Sequence, residues 1–521
     1  MSKGDTLTDK PESASEPNLS QLGEDKPVGG EPKSAIRTAV VMVHGMGEQQ
    51  PLETVDRFVR TALPRVDGER RYLSRPEKIS DSFEARRYLA YRQPFKPADS
   101  PDGPCEDTTE DLIYGQTEFL EYHWSYQMQG NRLSDLVPLL MRMLIRKPST
   151  VPSGLKRIWL ILWLFIFALI AAVILLWEVI DEWSAAGVIL ALGGSGFVAW
   201  AIGKTLTHFG SVVTKSFVDV VRYLDNSPRS YAIRRSIRQG MVDLLQSLHD
   251  KGRYSRVVVV AHSLGAYIAY DAITSLWPTM NKLHCGPITD DPDHAVPLEG
   301  VAELEELASK LIQHPVEGLD EEQQRELAEF RDAQFEVWKN LRRQGNPWLI
   351  TDFISVGTPM YMADLLLSKN RDEFHKLVKT AGIPQCPPRN GFDPVEGEES
   401  EPGDYAWNNR GREVLTHSAP FAVVRWTNMF FRAENGWNGD WFGDALRPLF
   451  GNGIVDHPIQ GNLPQRRSPG VAHGRYFSFP DDDDEDGIAK VLQRALALGI
   501  DGELAASCGA PGYLPETNVT R

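Results

Sequence analysis

The run Arg256-Val257-Val258-Val259-Val260-Ala261-His262-Ser263-Leu264-Gly265-Ala266-Tyr267 constrains this chain more than any other stretch. It reads as a buried β-strand, a serine set among small residues, and then a helix. A serine hydroxyl near its ordinary pKa is a poor nucleophile. It needs exposure on a sharp turn, a base within hydrogen-bond reach and backbone donors for the developing oxyanion. Small residues two positions before and after the serine allow the sharp turn, because bulk there would strike the neighbouring strand and helix. The pattern is A-x-S-x-G, and Ala261 in place of the first glycine is a mild departure that such a turn accommodates. An ordinary strand–turn–helix with a solvated serine fits the same letters, so a second feature has to decide.

That feature is Thr38-Ala39-Val40-Val41-Met42-Val43, another short apolar run, which ends in His44-Gly45-Met46-Gly47-Glu48-Gln49. Glycines let a backbone approach a ligand closely and aim its N–H groups inward. The oxyanion donors are assigned to Met46 N–H and Leu264 N–H, with Gly47 N–H as the fallback. His44 reads as an organiser of this loop. His262, beside the nucleophile, reads as a structural residue.

With both motifs in this order, the chain resembles the α/β-hydrolase superfamily, and more narrowly its lipase and esterase branch. The resemblance runs from Ala35 to about Asp271 and from Trp348 to about Pro480. It implies a mostly parallel sheet flanked by helices, and a Ser-His-acid triad in the chain order Ser, then Asp or Glu, then His.

Phe421-Ala422-Val423-Val424-Arg425-Trp426-Thr427-Asn428 reads as a late strand, and the loop after it carries Asn438-Gly439-Asp440-Trp441. The spacing of Trp426, Asn428, Asp440, Leu446 and Pro448 is similar to the acid-bearing loop of intracellular phospholipase-like hydrolases, so the acid is placed at Asp440. Asp444 is its main rival and Asp364 a weaker one. Asp352 stands at the beginning of its strand, the wrong end of the sheet for catalysis. The base is placed at His473, in an H-x-x-Y turn that resembles the family's base-bearing loop. His457, the alternative, comes too soon after Asp440 and precedes a proline. In these roles His473 takes the Ser263 proton, and Asp440 fixes the imidazole tautomer and stabilises the imidazolium.

A second strong feature concerns place. Ile158 to Trp177 is an uninterrupted apolar run of 20 residues, long enough to cross a hydrocarbon core as a helix. An acidic turn follows, and Ala185 to Gly203 forms a second uncharged segment diluted by glycine. The expectation is a transmembrane helical hairpin, with small residues permitting close helix packing. A hairpin that dips into only one leaflet is the alternative. Arg142, Arg146, Lys147, Lys156 and Arg157 precede the hairpin, and Lys204 and Lys215 follow it. Lys and Arg stay on the cytoplasmic side, so the catalytic part is expected there. No basic leader with an apolar core and cleavage site opens the chain, so export is not expected.

The 521 residues divide accordingly. Residues 1–34 are a disordered tail. Residues 35–150, 211–297 and 347–500 make up the hydrolase domain, interrupted by the hairpin at 151–210 and by a helical insertion at 298–346. That insertion is a cap-like lid or a surface helical pair. Residues 501–521 form a C-terminal tail. The net charge of −16 argues against nucleic acid as a partner. The four cysteines, Cys105, Cys285, Cys386 and Cys508, lack C-x-x-C pairing, which fits a reducing compartment and gives no metal site. The acidic run Asp481–Asp486 lacks the spaced ligands and glycine of a calcium loop. No cofactor is expected, and the sequence leaves the oligomeric state open. The expected activity is hydrolysis of carboxylic esters, with membrane lipid or phospholipid esters as substrate. A thioesterase or acyltransferase with the same triad, or an inactive scaffold of the same fold at the membrane, are the competing readings.

Overall fold

A computed structural model describes residues 38–46, 53–63, 70–91, 117–128, 137–151, 156–181, 218–250, 252–283, 286–389, 405–433, 439–459, 472–478 and 487–498, apart from gaps of up to three positions within those spans. The tails 1–34 and 501–521, the second apolar segment 185–203, Gly47 and the acidic run 481–486 lie outside the described residues.

The strands, in chain order, begin with β1 (Thr38–Val43), β2 (Arg70–Leu73), β3 (Glu77–Ser80), β4 (Phe83–Ala85), β5 (Arg87–Tyr91) and β6 (Thr117–Tyr122). They continue with β7 (Arg256–His262), β8 (Ile350–Val356), β9 (Ala406–Asn408), β10 (Glu413–Leu415), β11 (Arg425–Phe431) and β12 (Val455–Ile459). The central sheet has the order β12-β11-β8-β7-β1-β6-β5-β2. Its first six members are parallel, and β5 and β2 add an antiparallel edge. The chain therefore has an α/β fold with helices on both faces of a parallel sheet.

The valine runs explain the two covered faces. Ala39, Val41, Val43, Val257, Val259 and Ala261 point into one apolar layer, with the helices Pro228–Asp250, Gly265–Asn281 and Glu321–Arg343. Val40, Met42, Val258 and Val260 point into the other, against Glu53–Ala62 and Ile488–Leu496. A strand that alternates between two apolar layers has no use for a polar face, so it is written almost wholly in Val and Ala. Sheet order reverses between β1 and β7. From there the chain adds β6 on one side and β8, β11 and β12 on the other. In open α/β sheets the crevice at such a switch point, beyond the carboxyl ends of the strands, is where ligands bind. His44 leaves β1 at that rim, and Ser263 leaves β7 there.

The helix that leads into β7, Pro228–Asp250, runs 23 residues. The strand expected from Phe421 begins only at Arg425, because Pro420–Ala422 is a 3-10 turn. His457, the alternative base, lies within β12. The helical insertion is two helices, Val301–Ile312 and Glu321–Arg343, the second opened by a capping box of Asp320 and Gln323. Arg331 donates to the Trp426 carbonyl (2.9 Å) and to Thr427 Oγ1 (3.0 Å), and Gln334 donates to the Phe421 carbonyl (2.6 Å). Those anchors stand at the start of β11, the end of the sheet away from Ser263. Glu321–Arg343 is thus a layer covering the sheet, and the lid expectation gives way to that placement.

The apolar run lies within one helix, Lys156–Asp181, of 26 residues, with side chains described at only part of its positions. Leu160, Ile161, Leu164, Phe167, Ile170 and Ile174 are exposed along it. Judged on the described residues alone, no helix is long and apolar enough to cross a membrane.

Candidate active site

Ser263 sits at φ 57°, in the left-handed region where a residue with a side chain is uncommon and strained. Its N–H is held by the Val356 carbonyl of β8 (2.9 Å), so the sheet itself sustains the turn. Two glycines allow the rest. A Cβ on Gly265 would lie 2.4 Å from the Val43 carbonyl oxygen, which is why the helix can start so close to β1. A Cβ on Gly45 would lie 2.6 Å from His262 Nδ1 and 2.9 Å from Ser263 Cβ. The loop after β1 therefore presses directly on the nucleophile turn. Met46 and Leu264, the two assigned oxyanion donors, are the next residues along these two segments, and both are buried.

Ser263, His473 and Asp440 converge although the sequence separates them widely. His473 Nε2 is 2.8 Å from Ser263 Oγ, and His473 Nδ1 is 2.9 Å from Asp440 Oδ2. The carboxylate only accepts, so Nδ1 carries the proton and Nε2 is left to accept from the serine hydroxyl. Asp440 has no exposed surface. Its Oδ1 accepts from Phe442 N–H (2.8 Å), and its own N–H donates to the Phe431 carbonyl (2.9 Å), which ties the acid to the end of β11. Tyr476 Oη donates to Asp440 Oδ2 (2.8 Å) and accepts from Phe431 N–H (3.0 Å). Burial, with the adjacent Asp440 carboxylate, pushes the Tyr476 phenol well up, so it remains a donor. Gly357, at φ 53°, makes the room: a Cβ there would lie 2.4 Å from the Tyr476 ring and 2.9 Å from Asp440 Oδ2. Tyr476 as a partner of the acid is the residue that sequence reasoning missed, although the H-x-x-Y spacing contained it. Ser263 itself is fully buried.

The other candidates fall elsewhere. Asp444 Oδ1 accepts from Ala445 N–H, and its carbonyl accepts from Asn428 Nδ2 (3.0 Å). Asp364 pairs with Arg146 (3.0 Å). Asp352 is buried between Arg256 and Arg425. Among the described residues no group of His, Cys, Asp and Glu is arranged to hold a metal ion.

The two remaining histidines organise the site. Trp124 N–H donates to His44 Nε2 (3.2 Å), so Nδ1 carries the proton toward the Gly45 carbonyl (2.9 Å). The imidazole stacks on the Trp124 ring at 5.2 Å, and the indole N–H donates to the His44 carbonyl (2.9 Å). His262 Nε2 bonds to the His473 carbonyl (3.0 Å), so the residue beside the nucleophile pins the segment that carries the base.

Burial pushes the His44 imidazole down to about 3, the Gly45 carbonyl opposing in part, and burial beside His473 likewise pushes His262 to about 3. Both lie below the ordinary 6.5, so the unfolded chain takes up protons first as pH falls. The stability they contribute is full above 6.5 and is lost as pH drops from there toward 3. Each is expected to withdraw about 2 kcal/mol between roughly pH 7 and pH 5. Asp456, raised to about 6 by burial, works the other way and returns about 1 kcal/mol over that interval. Urea unfolding midpoints at the two pH values check this, and unchanged midpoints would contradict it.

No family model matches the chain, and neither does any curated protein or solved structure.

Proposed function

We propose that this protein is a serine hydrolase of the α/β-hydrolase type that cleaves carboxylic esters through an acyl-enzyme. The observation that carries the reading is the hydrogen-bonded chain from Ser263 Oγ to His473 to Asp440, at 2.8 and 2.9 Å, mounted at the switch point of the sheet. In this mechanism Ser263 Oγ attacks the ester carbonyl as His473 Nε2 takes its proton. The Met46 and Leu264 amides receive the oxyanion, and His473 then gives the proton to the departing alcohol. Water repeats the sequence on the acyl-enzyme and releases the acid. Asp440 stays ionised and balances the imidazolium.

Lipid or phospholipid esters are the proposed substrates, on the strength of the anchor. The anchor proposed is the helix Lys156–Asp181, which carries the uninterrupted apolar run Ile158–Trp177. Its leucines, isoleucines and phenylalanine at 160, 161, 164, 167, 170 and 174 are exposed, as expected of a surface meant for lipid. The preceding helix Val137–Ile145 adds exposed Met141 and Ile145. The charge pattern flanking the hairpin supports a cytoplasmic catalytic domain.

Labelling with a fluorophosphonate, which traps an activated serine, tests the chemistry directly. Wild type is expected to label and Ser263→Ala to lose the label completely. An unlabelled wild type, or equal labelling of Ser263→Ala, rejects the enzyme in favour of an inactive scaffold. Anchoring is checked separately by carbonate extraction of membranes.

A further inference from the structure

A small cavity with its own chemistry, lined by none of the triad residues, holds Arg389 and Arg447. The segment ending in Arg389 is locked to the turn Phe450–Gly453 at two points. Cys386 N–H donates to the Phe450 carbonyl, and Gly453 N–H donates to the Cys386 carbonyl, both at 2.8 Å. Gly451, at φ 103°, permits the contact, since a Cβ there would lie 2.4 Å from the Cys386 oxygen. Between this locked pair and the helix Arg371–Lys379 is a cavity of about 160 Å³. Arg389 and Arg447 both line it, together with His375, Gln385 and Asn452, and no Asp or Glu is among its described lining residues.

Arg447 is 6 % exposed, and its Nε and Nη2 have no hydrogen-bond partner. A buried charged donor without an acceptor is costly, and each such group in a folded protein calls for a missing partner. Asp456 attracts Arg447 by its charge but gives Nε and Nη2 no hydrogen bond. Asp456 has its oxygens engaged by Leu446 N–H (3.0 Å), Arg447 N–H (3.1 Å) and Asn428 Nδ2 (2.7 Å). The neighbouring amide donors are spent as well. Gln385 Nε2 holds the Leu449 carbonyl (3.1 Å), and Asn452 Nδ2 holds the Leu311 carbonyl (2.8 Å). What the cavity offers a ligand is therefore guanidinium.

A guanidinium fork matches the paired oxygens of carboxylate and phosphate. Two forks and an imidazole around one small cavity can each engage an oxygen of a tetrahedral anion, whereas a carboxylate has only two oxygens to share. We infer that the Arg389–Arg447 cavity binds a phosphate group, either as inorganic phosphate or as the phosphate of a small monoester such as a glycerolipid headgroup. The site is separate from the triad and does not depend on its being active.

Isothermal titration of the full-length protein in detergent micelles, with sodium phosphate and with glycerol 3-phosphate at constant ionic strength, tests the inference. One saturable phosphate site is expected in wild type, weakened at least tenfold in Arg447→Gln and in Arg389→Gln. Tighter binding of glycerol 3-phosphate assigns the site to a headgroup, and tighter binding of inorganic phosphate assigns it to the free anion. Arg389 is only half-buried, so its variant is read even where Arg447→Gln fails to fold. Fluorophosphonate labelling of Ser263 is expected to persist in Arg389→Gln, which separates failure of this site from failure of the triad. Heat no greater than that from added chloride, or equal phosphate affinity in wild type and Arg389→Gln, would overturn it.

Discussion

Asp440→Ala is expected to reduce ester turnover about 10⁴-fold, because a triad acid acts through its charge and its hold on the imidazole together. In the native site Oδ2 accepts from both His473 and Tyr476, while Oδ1 accepts from Phe442 N–H. Removing the carboxylate releases the His473 ring to rotate and to adopt the tautomer in which Nε2 carries the proton. It then cannot accept one from Ser263. Turnover in Asp440→Asn is expected to fall by the same order. Its amide has one acceptor atom where the carboxylate has two. With the oxygen opposite His473 and Tyr476 the NH2 faces Phe442 N–H, and flipped it donates toward His473 Nδ1 and imposes the tautomer in which Nε2 carries the proton. Asp444→Asn serves as the control, since its Oδ1 accepts from Ala445 N–H and the His473 imidazole bonds to Asp440 instead. It is expected to change turnover less than threefold, roughly the level of a substitution away from the core. Turnover of a short-chain nitrophenyl ester is the measurement. Retention of more than a tenth of wild-type activity in Asp440→Ala, or an equal loss in Asp444→Asn, would remove Asp440 from the role.

The contrast between these two aspartates bears on what can be read from letters. Ser263 was legible because a buried strand, a turn of small residues and a helix leave a local signature, and the loop after β1 repeats the logic. His473 and Asp440 were legible only through their resemblance to a base-bearing and an acid-bearing loop. No periodicity brings residues 33 positions apart to 2.9 Å. Tyr476 and Gly357 were not singled out, since their meaning lies in the space they share with Asp440 across separate loops. The helical insertion misled for a related reason. Glu and Gln abound on Glu321–Arg343, which reads as surface, yet Phe330, Val337, Trp338 and Leu341 on its other side enter the core. Amphipathic spacing identifies a helix but does not say which part of a fold receives its apolar side.

Asp352 carries this furthest, and its replacement has the largest expected effect on stability. It stands near the start of β8, the end of the sheet away from Ser263, but nothing in the sequence announces what it does there. The register pairs Asp352 with Val258 of β7 on one side and with Arg425 of β11 on the other. The pairing slips at Thr351, where Val257 faces Ile350 and Val258 faces Asp352. That irregularity brings Arg256 Nε to Thr351 Oγ1 (2.8 Å) and Arg256 Nη2 to Asp352 Oδ2 (2.6 Å). Arg425 approaches the same carboxylate with two donors, at 2.9 and 3.0 Å. Arg256 Nη1 reaches on to the Leu496 and Ala497 carbonyls (3.2 and 3.1 Å), so the cluster also seals the end of the helix Ile488–Leu496. Burial alone would raise the Asp352 pKa, but Arg425 and Arg256 outweigh it and hold the carboxyl well below the usual carboxylate range. Its stabilising share is therefore present above the ordinary carboxylate pKa and is lost only as pH falls well into the acid range. Asp352→Ala removes the carboxylate that two guanidiniums share, one of them, Arg256, 1 % exposed. The expected cost is about 3–5 kcal/mol, the range for breaking a buried pair from one side. Removing the stranded charge as well should help. The double variant Asp352→Leu with Arg256→Met is expected to recover about half of that loss, because a well-packed apolar replacement no longer buries an unpaired ion. Urea midpoints of the wild type, single and double variants supply the measurement. A single variant within about 1 kcal/mol of wild type, or a double variant less stable than the single, would show that the cluster is solvated and that the strand register does not depend on it.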